Sequence, residues 1–202
     1  ILNNYAPSSS QYGFHFSAFR ENIFTPVIRR QVRAQEITDA GHYTVYLPSY
    51  DDKRLISFLS EFKDVTWDVF SKHNNKLLKI KNITIQPIDG EKFTASMASS
   101  SGVLCGAGFE TPAEALFLGK KLMVIPMKNQ YEQHLNAAAL RAMNVPVIKN
   151  LKPKYRSLIS QWLNNGQDIP VNYPDITQEI IDTIVEKHKA DTTFGSNEAM
   201  FI

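Results

Sequence analysis

The chain has 202 residues, 43% hydrophobic and 21% charged, with a net charge of +2 and one cysteine. That is room for one large domain, or one domain with appendages, of ordinary globular composition. The charge is too small to argue for nucleic acid or an anionic membrane surface. The apolar runs are too short to cross a bilayer, and a lone cysteine excludes a disulfide framework or a cysteine-rich zinc site. A reducing, cytoplasmic setting is the simplest expectation. Ile1 at the start, without a signal-peptide pattern, reads as a cut point in something longer.

In chain order, Tyr12 to Phe16 reads as a strand and Ser17 to Phe24 as a helical turn. Pro26 to Val32 is basic and reads as extended. His42 to Leu47, rich in β-branched and aromatic residues, predicts a strand. Pro48 to Asp52 is a turn with a good helix cap. Lys53 to Phe62 predicts a helix, with Leu55, Ile56, Phe58, Leu59 and Phe62 on one side. Strands follow at Thr66 to Phe70 and at Ile80 to Gln86. A turn at Pro87 to Gly90 leads into a short helix, Glu91 to Ser99. An apolar strand, Gly102 to Cys105, then enters a small-residue turn. That turn opens a helix starting at Thr111, with Pro112 in its first turn. Leu122 to Met127 is a strand, Gln130 to Met143 a helix and Val145 to Ile148 a last short strand. Pro153 to Asn164 and Pro174 to Lys189 predict two more helices, and the tail from Asp191 is polar.

Strands separated by helices of this size imply right-handed crossovers and a mostly parallel sheet. The expected fold class is α/β: a Rossmann-like, doubly wound parallel sheet of about six strands with helices on both faces. Ligands in such sheets sit at the carboxyl ends of the strands, where the strand order reverses. The turns after Leu47, Gln86 and Cys105 all lie at such ends, so all three are expected to border one crevice. At the last of them a helix N-terminus offers amides with no intrahelical acceptor and the positive end of a dipole. Glu114, three residues past Thr111, faces back over the same turn and is within reach of a ribose. Gly-Ala-Gly is not the dinucleotide fingerprint, which needs a third glycine.

The spacing of Gly108, Thr111, Glu114, Gly119, Pro126, Gln133 and Asn136 resembles the donor signature of nucleotide-sugar glycosyltransferases with two Rossmann-like domains, the GT-B type. The nearest likeness is to the bacterial N-acetylglucosaminyl transferases of peptidoglycan synthesis, then to plant and macrolide glucosyltransferases. The motif covers about thirty residues, and the compatible strand–helix order runs from 42 to 150. The resemblance implies a nucleoside-diphosphate sugar as donor, UDP-linked by default, and an acceptor that is lipid-linked or small. It implies that Gly108, Phe109, Glu110, Thr111 and Ser49 hold the donor diphosphate. It also gives Glu114 the ribose, the backbone of Ile88 the base, and Gln130 with Gln133 the sugar. The chain departs from plant-type relatives in having Gly106 where they carry a phosphate-contacting His. Lys121 also stands where a Pro is usual.

Other features read more plainly. His15, His42, His73, His134 and His188 show no metal spacing; only His134 falls in the ligand loop. There is no nucleophile elbow. Cys105 reads as a small buried hydrophobe, Trp67 and Trp162 as core, and Lys120-Lys121 as cations suited to a helix C-terminus. Arg29-Arg30 reads as a solvated linker, with a phosphate contact across an interdomain cleft as the alternative.

The expected organisation is therefore a remnant of a preceding acceptor domain and linker over 1–40, a donor-binding domain over 41–190 and a tail over 191–202. Such a fragment would supply leaving-group stabilisation without a metal or cofactor. The general base would come from the amino-terminal acceptor domain, so the fragment alone would turn over little. The full protein would be cytoplasmic or peripheral at the inner membrane face. Rival expectations are a nucleotide-sugar epimerase or hydrolase of the same fold, and a non-catalytic nucleotide-binding subunit.

Overall fold

A computed structural model describes residues 10–189; the polar tail from Asp191 lies outside them. The chain divides into two compact units, residues 28–173 and residues 1–27 with 174–202. In the smaller unit β1 (Gly13–Phe14) pairs in parallel with β2 (Ile23–Phe24). The helical turn expected over Ser17 to Phe24 thus ends in a strand instead, because Gly13 and His15 donate backbone bonds to Asn22 and Phe24. The same unit contains the helix Thr177–Lys189, in which His188 Nε2 hydrogen-bonds the Tyr12 hydroxyl at 3.3 Å.

The larger unit opens with α1 (Arg30–Arg33), where an extended segment was expected. Val32 drives this short turn, since its side chain is fully buried. Then come β3 (His42–Tyr46), α2 (Asp52–Leu59), β4 (Thr66–Ser71), β5 (Leu78–Ile80) and β6 (Ile83–Pro87). The strand expected from Ile80 to Gln86 is therefore a hairpin. Lys81, at φ 55°, turns the chain between its two arms. After these lie α3 (Gly90–Ser99), β7 (Gly102–Gly106), α4 (Glu110–Phe117), β8 (Lys121–Ile125), α5 (Tyr131–Ala142) and α6 (Arg156–Asn165). The helix expected from Pro153 begins as a single 3-10 turn, Pro153–Tyr155. The strand expected over Val145 to Ile148 shrinks to one parallel bridge, Val147 to Val124.

The six strands order as β5-β6-β4-β3-β7-β8, all parallel except β5. The chain moves outward from β3 through β4 to β6, then returns to lay β7 and β8 on the other side of β3. The order therefore reverses between β3 and β7, and the crevice at their carboxyl ends is the switch point. Near-continuous apolar strands follow from a sheet covered on both faces. One face packs on α2 and α6, through Leu55, Phe58, Leu59, Ile159 and Trp162 against Tyr43, Val45, Trp67 and Val69. Trp67 is fully buried and its indole donates to the Leu59 carbonyl at 3.1 Å. The other face receives α3 by a polar clasp: Ser96 donates to Asp68 at 2.6 Å, and Thr44 bonds Ser96 at 2.8 Å. Two acids cap their helices: Asp51, in the turn read as a good cap, accepts from the Arg54 amide, and Asp89 accepts from that of Lys92. Among the described residues no helix is long and apolar enough to cross a membrane.

Candidate functional site

The turn from β7 to α4 carries the most specific sequence signal. Helix α4 starts at Glu110, one residue before Thr111, and no side chain caps it. Its leading amides precede any intrahelical acceptor, and Pro112 has no N–H to leave orphaned. The two motif glycines are there for different reasons. Gly119 has φ 62° and closes α4, with backbone bonds from Gly119 to Leu116 and from Lys120 to Ala115, a geometry that favours glycine. Gly108 has no such φ, and a Cβ placed on it meets nothing within 4 Å. Neither conformation nor packing accounts for glycine there, whereas open space beside a helix N-terminus is what close approach by an anionic ligand needs.

Glu114 projects from α4 and is only 3% exposed. Both of its carboxylate oxygens are engaged: Arg29 Nε donates to Oε1 at 2.6 Å and Arg29 Nη2 to Oε2 at 2.8 Å. Arg29 is thus no solvated linker. The fork matches the carboxylate and offsets the burial of its charge. These bonds raise the guanidinium's hold on its proton, helped by the charges of Glu114 and of Glu110 in the first turn of α4. Arg29 keeps 41% of its side chain exposed, so it forms a lid over Glu114 with one face in water.

Two motif residues of α5 tie the neighbouring loops together. Gln133 Oε1 accepts from the Met127 amide at 2.9 Å, and Asn136 Nδ2 donates to the Ala107 carbonyl at 3.2 Å. The second bond fixes the glycine turn to the helix after β8. His134 Nε2 donates to the Lys128 carbonyl at 3.0 Å and closes the same loop on itself.

A cleft of about 800 Å³ opens at the carboxyl ends of β3 and β8. Ser49, Gln130 and His134 line it, together with residues the sequence reading did not single out: Tyr50, Arg54, Lys128, Arg141, Lys149 and Asn150. His134, Ala138 and Arg141 fall on one face of α5, but Arg54, Lys128, Lys149 and Asn150 come from separate segments, and no local spacing links them. The structure therefore brings Ser49 and Gln130 together. Gly108, Phe109, Glu110 and Thr111 stand at the neighbouring β7 end, outside the cleft lining. Ile88, half exposed, stands at the β6 end. Glu114 and Gln133 face protein partners.

The remaining sequence readings resolve simply. Cys105 is fully buried, and burial pushes its thiol pKa well up, which makes it inert as a nucleophile. Lys120 follows the end of α4. It is buried, its Nζ donates to the Thr38 carbonyl at 2.7 Å, and burial lowers its pKa.

The family model described as glycosyl transferase family 1 matches residues 12–165. No curated protein matches the chain. Among solved structures, the glycotransferase of kitacinnamycin is similar at TM-score 0.51 and 14% identity, over 84% of this chain and 46% of that one. Spinosyn forosaminyltransferase is similar at TM-score 0.50 and 13% identity, over 83% of this chain and 49% of that one. At such identities the likeness speaks to the fold. The chain spans about half the length of both proteins.

Proposed function

Because the chain belongs to glycosyl transferase family 1, we propose that residues 28–173 are the donor-binding domain of a glycosyltransferase acting on a nucleoside-diphosphate sugar. The observation that carries the reading is Gly108, a motif glycine that neither φ nor packing demands, beside an uncapped helix N-terminus at the switch point. In this reading the amides from Gly108 to Thr111 hold the donor diphosphate. The leaving group gathers charge as the glycosidic bond breaks, and fixed dipoles there stabilise it with little reorganisation. Ser49 closes the phosphate side, the backbone of Ile88 meets a uracil base, and Gln130 with Gln133 addresses the hexosyl group.

Glu114 is the ribose ligand, and Arg29 sets the terms on which it serves. Each carboxylate oxygen keeps a second lone pair while bonded to Arg29, but the guanidinium covers them. Ribose reaches Glu114 only as Arg29 shifts, and its exposed side gives it room to do so. The base that deprotonates the acceptor hydroxyl belongs to an amino-terminal acceptor domain. By itself, then, the chain binds donor and turns over little. The full protein works in the cytoplasm or peripherally at the inner membrane face.

The test is calorimetric titration of the chain with UDP, UDP-glucose, UDP-N-acetylglucosamine, GDP and dTDP, beside a Glu114→Gln variant. Saturable binding of one base, weakened in the variant, is the expected result. Binding of none of them, or binding indifferent to Glu114, would contradict the reading.

A further inference from the structure

Away from the donor loops, the antiparallel edge of the sheet concentrates positive charge. Residues 72–81 read Lys-His-Asn-Asn-Lys-Leu-Leu-Lys-Ile-Lys. Lys72, Lys76, Lys79 and Lys81 are all exposed. The chain holds 20 Asp and Glu, yet none falls between Asp68 and Asp89. Among the described residues the ion pairs are Arg29–Glu114 and Arg156–Glu61, and neither involves these four lysines. Lys81 Nζ meets a neutral group, the Ser60 hydroxyl, at 3.4 Å. Lys81 also occupies the turn at φ 55°, where glycine or asparagine is the easier residue. Two leucines sit among the lysines: Leu77 is 66% exposed and Leu78 43%. The loop that presents them is braced. The His73 amide donates to the Ser71 hydroxyl at 3.1 Å. Asn74 clips both backbone groups of Lys76, donating to its carbonyl at 2.5 Å and accepting from its amide at 3.3 Å.

Lysines on a short edge strand hinder its pairing with another chain. That accounts for Lys79, inside β5, but not for Lys72 and Lys76 in the loop before it, nor for Leu77 beside them. Exposed leucines among unpaired cations suit a boundary where an anionic surface covers an apolar interior. There lysine ammoniums reach charged headgroups while leucines enter the edge of the acyl region. Nucleic acid is the poorer match, since residues 72–81 hold no Arg and no Phe, Tyr or Trp to stack on a base. The net charge of +2 conceals this patch, because the offsetting acids lie elsewhere in the sequence. We propose that the 72–81 edge is a docking surface for an anionic lipid bilayer. Two leucines with four lysines make a reversible contact rather than an anchor. The inference goes beyond the donor reading and stands without it.

The experiment sediments the full chain with phosphatidylcholine vesicles, with and without about 30% phosphatidylserine. It is repeated with a Lys76→Glu/Lys79→Glu variant and with Leu77→Ser. All three side chains are exposed and outside the proposed donor contacts, so the fold should survive; a thermal melt checks this. The expected result is binding to the anionic vesicles that falls about tenfold or more with neutral vesicles and in the charge-reversed variant. Leu77→Ser should weaken it severalfold, and added salt should weaken it further. No binding to anionic vesicles, equal binding to neutral ones, or binding untouched by either variant would overturn the proposal. An oligouridine titration runs beside it, and binding of that RNA without binding of vesicles would give the lysines to nucleic acid instead. UDP affinity is measured in parallel and should be the same in every variant. Lipid binding by a chain that does not take UDP would remove the donor reading alone, and UDP binding without lipid binding would remove the docking surface alone.

Discussion

The two sides of the carboxyl edge of the sheet handle charge in opposite ways. At the α4 side a buried carboxylate, Glu114, is closed by an arginine that binds both of its oxygens. At the α5 side four cations line an open cleft with no acid among them. The first arrangement is self-sufficient, since a charge taken out of water must find its partner within the protein. The second is incomplete, since exposed cations cost little to leave in water and remain available to a ligand.

The largest expected effect comes from breaking the closed side. Arg29→Ala leaves Glu114 buried without a counter-charge, and the stability loss should be on the order of 3 kcal/mol by denaturant unfolding, near the low end for buried pairs because Arg29 is partly exposed. Adding Glu114→Gln should restore most of it. A loss that persists in the double variant would mean that Arg29 acts through its own packing. Gly108→Ala comes next. With nothing near its Cβ, it should leave the melting temperature unchanged while reducing nucleotide affinity roughly tenfold or more. A stability loss with affinity intact would return that glycine to the scaffold. Asn136→Ala removes the bond to the Ala107 carbonyl and should cost about 1 kcal/mol of stability, with a slightly looser glycine turn in amide exchange. The smallest effect is at high pH. Burial raises the Tyr173 hydroxyl from 10.0 to about 12. The folded state therefore holds that proton more tightly than the unfolded chain does. This contribution is complete below pH 10.0 and fades as pH climbs to about 12. Urea midpoints across that range should fall less steeply in Tyr173→Phe.

The sheet was legible because its signal is local. Val45, Val69, Ile83, Ile85 and Val103 sit in short apolar runs between turns, and every one is fully buried in a central strand. Boundaries failed where one residue decides them: Lys81 splits a predicted strand into a hairpin, and Val32 folds a predicted extended segment into α1. The sheet-bearing unit runs from 28 to 173. At the site, the glycine turn could be read because strand, turn and helix are contiguous. The Arg29–Glu114 pair joins residues 85 positions apart, and no spacing rule links them. The cationic cleft was missed for the same reason, since Arg54, Lys128, Arg141 and Lys149 converge only when parallel strands bring their ends to one edge.

The most direct test of the central claim is the backbone amide spectrum of the isotope-labelled chain during titration with UDP. Saturable shifts that peak from Gly108 to Thr111, extend to Arg29 and Glu114, and leave Arg141 and Lys149 nearly still are the predicted result. No shifts at the glycine turn, or shifts centred on the cationic cleft, would contradict a donor diphosphate seated at the start of α4.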